Sequence, residues 1–503
     1  MESCAAHFGD IDNDGDSDLL VVVDSPIPGG FPFGGPNLLY VNNGDGTFSE
    51  QAAARGVLDP LGRRNTVGAF ADFDRDGDLD IFFGMRAIQL FPLDHFDWYA
   101  ENDGTGAFVD ATDGTNLAGM GGNAQVALPF DVNLDGWMDL YVGNVGQIID
   151  GYSQADSRDS IWVNDGTGLT FSDLVTGTSL GNDASAAMGA DIADVNNDGY
   201  WDLYVTDNDN EGDAPLGNVL YVSDGLGGLI DNSCDVAGVC DTNSWPCNFA
   251  DFDRDGWVDL WVGTLRSTDP DSVYRNRGDG TFQLLPQEAM RNNNARGGSI
   301  ADYDGDGDVD IAFWNASQNS PLYANVTEAD GHWLQVKLFG TTSNRDAIGA
   351  KVRATAGGMT QMRRVSGGDS AHSQQELLLH FGLGDSSVVD LLEVEWPSGV
   401  VQQFTGVPTD AVLFVDEDAG ILAEVLTVAE ATWSSGLQEL AIKVGSNFGG
   451  RTGFDVTGIG ALPWDPESLE FFQRILGVSS NPGTVTLVST RGESFVLTVT
   501  TIP

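Results

Sequence analysis

Six times along its 503 residues the chain repeats the frame D-x-[DN]-x-D-G-x-x-D, each time between short apolar runs. The second copy, FADFDRDGDLDIFFG at residues 70–84, places five aspartates within nine positions. Two unit charges about 4 Å apart repel by roughly 4 kcal/mol at an effective dielectric near 20. An ordered turn with this pattern needs a cation, or it must stay splayed in water.

The copies begin at Asp10, Asp72, Asp131, Asp194, Asp251 and Asp302, so successive steps are 62, 59, 63, 57 and 51 residues. A second echo follows the first five: NLLYVNNGDGTF (37–48), YAENDGTGAF (99–108), IWVNDGTGLTF (161–171), VLYVSDGLGG (219–228) and SVYRNRGDGTF (272–282). The sixth keeps only PLYANV (321–326). Each unit reads as four short strands: before the acidic loop, after it, at LYVN and at GTF. Branched and aromatic runs bounded by Gly, Asn and Asp carry that assignment. Four-stranded units at intervals of about 40–60 residues predict an all-β chain of propeller blades.

Positions 1, 3, 5, 7 and 9 of the frame supply the candidate metal ligands. They are Asp10, Asp12, Asp14, Asp16 and Asp18 in the first loop, and Asp72, Asp74, Asp76, Asp78 and Asp80 in the second. The third has Asp131, Asn133, Asp135, Trp137 and Asp139; the fourth has Asp194, Asn196, Asp198, Tyr200 and Asp202. The fifth has Asp251, Asp253, Asp255, Trp257 and Asp259; the sixth has Asp302, Asp304, Asp306, Asp308 and Asp310. Side-chain oxygens come from positions 1, 3, 5 and 9, and position 7 offers its backbone carbonyl, which frees its side chain to vary. Position 6 is always glycine, as a sharp turn at positive φ demands. An oxygen-only cage of six to eight ligands suits calcium better than magnesium, zinc or copper. The expectation is up to six structural Ca²⁺ ions. An EF-hand is excluded, since position 12 is Val21, Phe83, Val142, Val205, Val262 or Phe313 rather than Glu, and the flanks are strand-like. Asn133 and Asn196 contribute an amide oxygen and less charge, so those two sites are expected to bind more weakly.

Composition supports this. The net charge is −54, from 76 acidic and 22 basic residues, a balance that repels nucleic acid and anionic lipid. No stretch approaches the roughly 20 apolar residues of a membrane helix. The opening MESCAAHFGD shows no leader. Of the four cysteines, Cys234 and Cys240 are close enough in sequence for a local bridge.

The segments FADFDRDGDLDIFFG, LYVNNGDGTF and SVYRNRGDGTF resemble FG-GAP (VCBS-type) repeats, the blades of integrin-α-like propellers. GTTSNRDAIGAKVRATAGG, RRVSGG and HFGLGDSSVVDLLEVEWPSG resemble an ASPIC/UnbV domain. The pairing is similar to the cartilage-acidic-protein family and its bacterial relatives. The resemblance implies a secreted, calcium-loaded propeller at 1–328, an ASPIC/UnbV-like β domain at 329–420, and an extracellular setting. It also implies seven blades where six loops are visible. The expectation is a chain truncated at its N-terminus, lacking a leader and up to one blade; a six-bladed ring with an imperfect seam is the alternative.

Residues 421–503 resemble a small immunoglobulin-like β module. Within them TVTLVSTRGESFVLTVT (484–500) reads as a hairpin, and DPESLEFFQRILG (465–477) as a short helix capped by Asp465 and stopped by Gly477. Asp369, Ser370 and His372 invite a hydrolase reading, but closeness in sequence does not make a triad; a polar loop is the plainer expectation. His380 is expected to satisfy a local hydrogen bond, and Arg353, Arg363 and Arg364 to pack within the molecule.

Two function classes follow. The first is a non-catalytic binding, adhesion or matrix module for an extracellular glycan or protein. Rim loops at 25–37, 86–99 and 207–218 would carry recognition, with Phe31, Phe33, Phe91, Phe96 and Trp98 either contact residues or, with at least equal weight, buried between blades. The second is a calcium-dependent extracellular hydrolase of polysaccharide or phosphoester. Nearly complete protein cages, with no loop distinguished by a nucleophile, favour the first.

Overall fold

In the computed structural model the strands fall where the repeat places them. Residues 1–422 are described except 1–2, 24–35, 59–64, 86–96, 116, 118–123, 146–158, 168–169, 176–186, 208–216, 233–236, 240–242, 265–269, 287–293, 316–318 and 328–330. Beyond them the backbone of the C-terminal strands is described. Cys234, Cys240, Phe31, Phe33, Phe91 and Phe96, with most of the three rim loops, lie outside the described residues.

The chain divides into two compact units, one of residues 1–333 and 338–409, the other of 334–337 and 410–503. In the first, five four-stranded antiparallel sheets and one three-stranded sheet follow in chain order. The first sheet shows the rule, with strands Ser3–Gly9, Asp18–Val23, Leu38–Asn42 and Phe48–Glu50 running from inside to outside. The sixth stops after Leu322–Tyr323, as the missing GTF segment predicts. Innermost strands Ser3–Gly9, Asn65–Ala71, Ala124–Phe130, Ala187–Ala193, Ser244–Ala250 and Ala295–Ala301 each contact the next. The described residues thus form six β-propeller blades.

Apolar side chains from facing blades fill the spaces between blades two to six; Phe73, Tyr99, Leu140 and Phe171 join blades two and three. In blades two, three, five and six an asparagine at or just beyond the end of the third strand stitches the blade to its predecessor, whereas blade four has Ser223 at that place. Asn102 Nδ2 donates to Ile11 O at 2.8 Å and Asn164 Nδ2 to Phe73 O at 2.9 Å. Asn276 reaches Val195 O and Asn325 reaches Phe252 O, both at 2.8 Å. Among the described residues Asn42 Nδ2 of blade one donates only to Ser17 O of its own blade. Correspondingly Tyr303, at position 2 of loop six, is 55% exposed, whereas Ile11, Phe73, Val132, Val195 and Phe252 are buried. Between blades six and one lies a cavity of about 420 Å³ lined by Ala5, Ala6, Gly297, Gly298, Phe313 and Trp314, among others.

The segment 364–375 touches the innermost strand of every blade. Gly367 O accepts the Phe70 N–H, Arg364 Nη1 donates to Pro129 O, and Ser370 O accepts the Ala190 N–H. Ser370 Oγ accepts the Cys247 N–H, and Ser373 Oγ donates to Gly298 O. Gln374 Oε1 accepts the Phe8 N–H while its Nε2 donates to Phe8 O. These contacts place the segment on the blade axis and across the seam. The same unit holds a four-stranded sheet ordered Met359–Arg364, Lys351–Ala356, Val388–Glu395, Val401–Pro408.

In the second unit the hairpin pairs Thr484–Ser489 with Ser494–Ile502, with Val485 opposite Leu497 as its alternation predicts. The helix expected over 465–477 is corrected: Glu470–Leu476 is a strand paired with Glu439–Ser446, and Asp465 pairs with Glu470. A lone capping signal is weak beside a ladder partner, and Phe471, Phe472 and Ile475 suit a strand.

Candidate functional site

Each acidic loop joins the first two strands of a blade, so its backbone leaves one sheet edge and must return within nine residues. Two left-handed residues make that turn. Position 6 is glycine with φ between 87° and 100°. Position 4 also has positive φ in every copy, at Asn13, Arg75, Leu134, Asn197, Arg254 and Gly305. Non-glycine residues rarely adopt this region, though Asn tolerates it. The recurrence of Asn and Gly at position 4 is the signal that could have revealed it.

The curl wraps backbone N–H groups around the position-1 carboxylate. In loop two, Asp72 accepts from Asp76 N at 3.1 Å and from Gly77 N at 3.1 Å, and the other five loops repeat the pair. Position 9 is a fastener. One oxygen of Asp18 accepts the Ile11 N–H, and the other takes Asn42 N–H on the third strand. Asp80, Asp139, Asp202, Asp259 and Asp310 do the same in their blades. These aspartates therefore hold loop and sheet together whatever else they bind.

In four loops three carboxylates present oxygens within 4.8 Å of one another: Asp10/Asp12/Asp18, Asp72/Asp74/Asp76, Asp251/Asp253/Asp255 and Asp302/Asp304/Asp306. Buried oxygens Asp12 Oδ1, Asp78 Oδ1 and Asp253 Oδ1 lack a hydrogen-bond partner among the described residues. Burial, then neighbouring carboxylates, pushes Asp72 up to about 7 and Asp78 up to about 8. Burial likewise raises Asp10 and Asp251 to about 7. Converging oxygens, orphaned lone pairs and suppressed ionisation are what a hard divalent cation would relieve. The donor sets of these four loops fit calcium.

Loops three and four differ. Asn133 Nδ2 donates to Asp135 Oδ2, and Asn196 Nδ2 to Asp198 Oδ2, both at 2.9 Å. The amide nitrogen thus supplies part of the neutralisation. In loop three Lys351 adds a full charge: its Nζ lies 2.7 Å from Asp131 Oδ2 and 2.9 Å from Glu395 Oε1. In loops three, four and five the position-7 side chains turn away from the curl, where Trp137, Tyr200 and Trp257 lie against Gly166, Gly225 and Gly278 of the following turn.

Residues 338–409 reach most of the loops. Arg345 N donates to Asn13 Oδ1, and Asp346 Oδ2 accepts the Asp10 N–H at 2.8 Å. Arg75 Nε donates to Pro397 O, Gly384 N to Arg254 O, and His380 Nε2 lies 2.9 Å from Gly307 O. His380 is thus hydrogen-bonded, but to a carbonyl 73 positions away rather than to the local partner expected. The three arginines pack inwards as expected: Arg353 pairs with Glu393 and Glu395, Arg363 donates to His380 O, and Arg364 pairs with Asp369. With Asp369 held by Arg364 and Ser370 Oγ by the Cys247 N–H, these residues serve the axial segment. Of the two alternatives for Trp98 the structure shows burial rather than contact: it is stacked on Phe83 at 4.4 Å, with its Nε1 donating to Asn65 Oδ1. Lys351, Glu395 and Asp346 were not singled out from sequence, because nothing local ties them to loops more than 200 positions away.

Comparison with known proteins agrees with the repeat. Residues 10–83, 194–262 and 251–313 match the FG-GAP-like repeat, and residues 340–421 match ASPIC and UnbV. Cartilage acidic protein 1 of Xenopus tropicalis is 27% identical over 256 residues, covering 48% of this chain and 38% of that protein. The human protein of that name is 54% identical over 50 residues, 10% of this chain and 7% of its own length. The chain thus spans well under half the length of these relatives. Among solved structures, a GH43_1 enzyme from Xanthomonas citri aligns at TM-score 0.32 and 12% identity, over 58% of this chain and 94% of its own.

Proposed function

With the chain built of FG-GAP-like repeats and an ASPIC and UnbV domain, we propose a secreted calcium-binding propeller that serves as a non-catalytic binding or adhesion module for an extracellular glycan or protein. Calcium in loops one, two, five and six would be held by the position-1, -3, -5 and -9 carboxylates, and it would neutralise charge rather than perform chemistry. The observation that carries this reading is the axial segment. Propeller blades surround a central channel and small-molecule sites need a concavity, and here residues 364–375 occupy the axis with hydrogen bonds to all six inner strands. Recognition is left to the rim. No helix among the described residues is long and apolar enough to cross a membrane.

The test is a glycan array with polysaccharide pull-down, run in calcium and in chelator. Retention of a defined glycan or matrix protein in calcium, without its turnover, is the expected result. Calcium-dependent cleavage of a polysaccharide or phosphoester would overturn the reading in favour of the hydrolase.

A further inference from the structure

We infer that loop three does not take a divalent ion and that Lys351 supplies its cation. The inference rests on the calcium reading of the other loops and concerns which frame departs from it. Lys351 and Asp131 are only 5% and 4% exposed at the side chain, so Nζ sits in a closed space beside the position-1 carboxylate. Glu395 faces Lys351 across the strand ladder and makes the second ion pair, so the ammonium is fixed from two sides. Asp10, Asp72, Asp194 and Asp251 make no ion pair with a basic side chain among the described residues. The backbone delivers Lys351 deliberately close: Gly349, at φ 98°, lies against Met138, position 8 of the same loop, where a Cβ would meet its sulfur at 3.2 Å.

Chemistry agrees with geometry. The position-1 carboxylate is the ligand that enters first in the frame, and here one oxygen takes two donors, Gly136 N–H and Lys351 Nζ. Asn133 has already removed one negative charge, and its amide hydrogen is turned onto Asp135, where a metal would need an oxygen. A divalent ion entering beside a buried ammonium would meet like charge at close range with little water to screen it. A buried ammonium between two carboxylates is already neutralised. Loop three is therefore closed with a covalently tethered cation that calcium withdrawal does not remove.

The full chain, stripped with chelator, is titrated with CaCl₂ in a calorimeter, and bound metal is counted by elemental analysis. Lys351→Met is expected to take up one more equivalent of calcium than the unsubstituted chain. Asp131→Asn alone should leave uptake unchanged, and it should abolish the extra equivalent in the Lys351→Met background. Equal, non-zero uptake with and without Lys351, or the loss of one equivalent on Asp131→Asn alone, would overturn the inference and leave the calcium reading standing. No uptake by any variant would remove both. Should Lys351→Met fail to fold, the Asp131→Asn count still decides.

Discussion

Loops two and three begin 59 residues apart and follow one frame, yet they solve the same electrostatic problem in opposite ways. Loop two gathers five aspartates with no basic side chain paired to them among the described residues, and its cost appears as carboxylates that resist ionisation. Loop three dilutes the charge with Asn133 and imports Lys351 from a sheet 220 positions away. The backbone is indifferent to the choice, because both loops make the same hydrogen bonds to positions 1 and 9. The curl is therefore a structural element in its own right, and the cation is a separable part.

That separation can be broken by experiment. The largest effect is expected from calcium removal. Each site at about 100-fold saturation contributes about 2.7 kcal/mol, so chelation should lower stability by several kcal/mol in calorimetry. An unchanged melting curve would reduce loop two to loop three's condition. Next comes Lys351→Met in chelator. Removing one partner of a buried pair costs about 3–5 kcal/mol, and urea unfolding should show a loss of that order. A loss near zero would mean that the ammonium is incidental.

Acidity should separate the two states more gently. Asp72, Asp74 and Asp78 are raised to about 7, 6 and 8, so the metal-free fold holds protons that the unfolded chain releases. Their contribution is present below about pH 4, the unfolded value, and is lost as pH rises through 6 to 8. In chelator, then, the melting temperature should climb as pH is lowered from 8 to 5. With calcium bound, protons compete with the ion and the slope should reverse. The smallest effect distinguishes single residues. Asp74→Asn should stabilise the chelated chain by under about 1 kcal/mol, since the residue is partly exposed and screened. Asp131→Asn should destabilise it. Matching signs would erase the distinction between the loops.

What could be read from sequence follows from range. Blade count, strand order, the position-6 glycine and the truncated sixth sheet all depend on residues within one repeat, and six copies average out local noise. The helix read at 465–477 failed because a single unrepeated capping signal was set against a pairing partner, Glu439–Ser446, that local pattern does not reveal. Position 9 looked like one ligand among five, whereas its principal bonds run to strand N–H groups that only the folded sheet brings near. Lys351 was invisible for a similar reason. Its neighbours in sequence, Ala350 and Val352, give no hint of the carboxylate it meets.

The axial segment has a consequence for how the molecule comes to exist. Phe8 is joined to Gln374, 366 residues later, and closing so long a loop is slow and entropically unfavourable. Until Gln374 has been synthesised, the Phe8, Phe70, Ala190 and Cys247 amides and the Phe8, Pro129 and Gly298 carbonyls lack these partners. A shorter chain ending at residue 333 would lack all of these contacts, so the six blades depend for their inner edge on residues that lie beyond the last repeat.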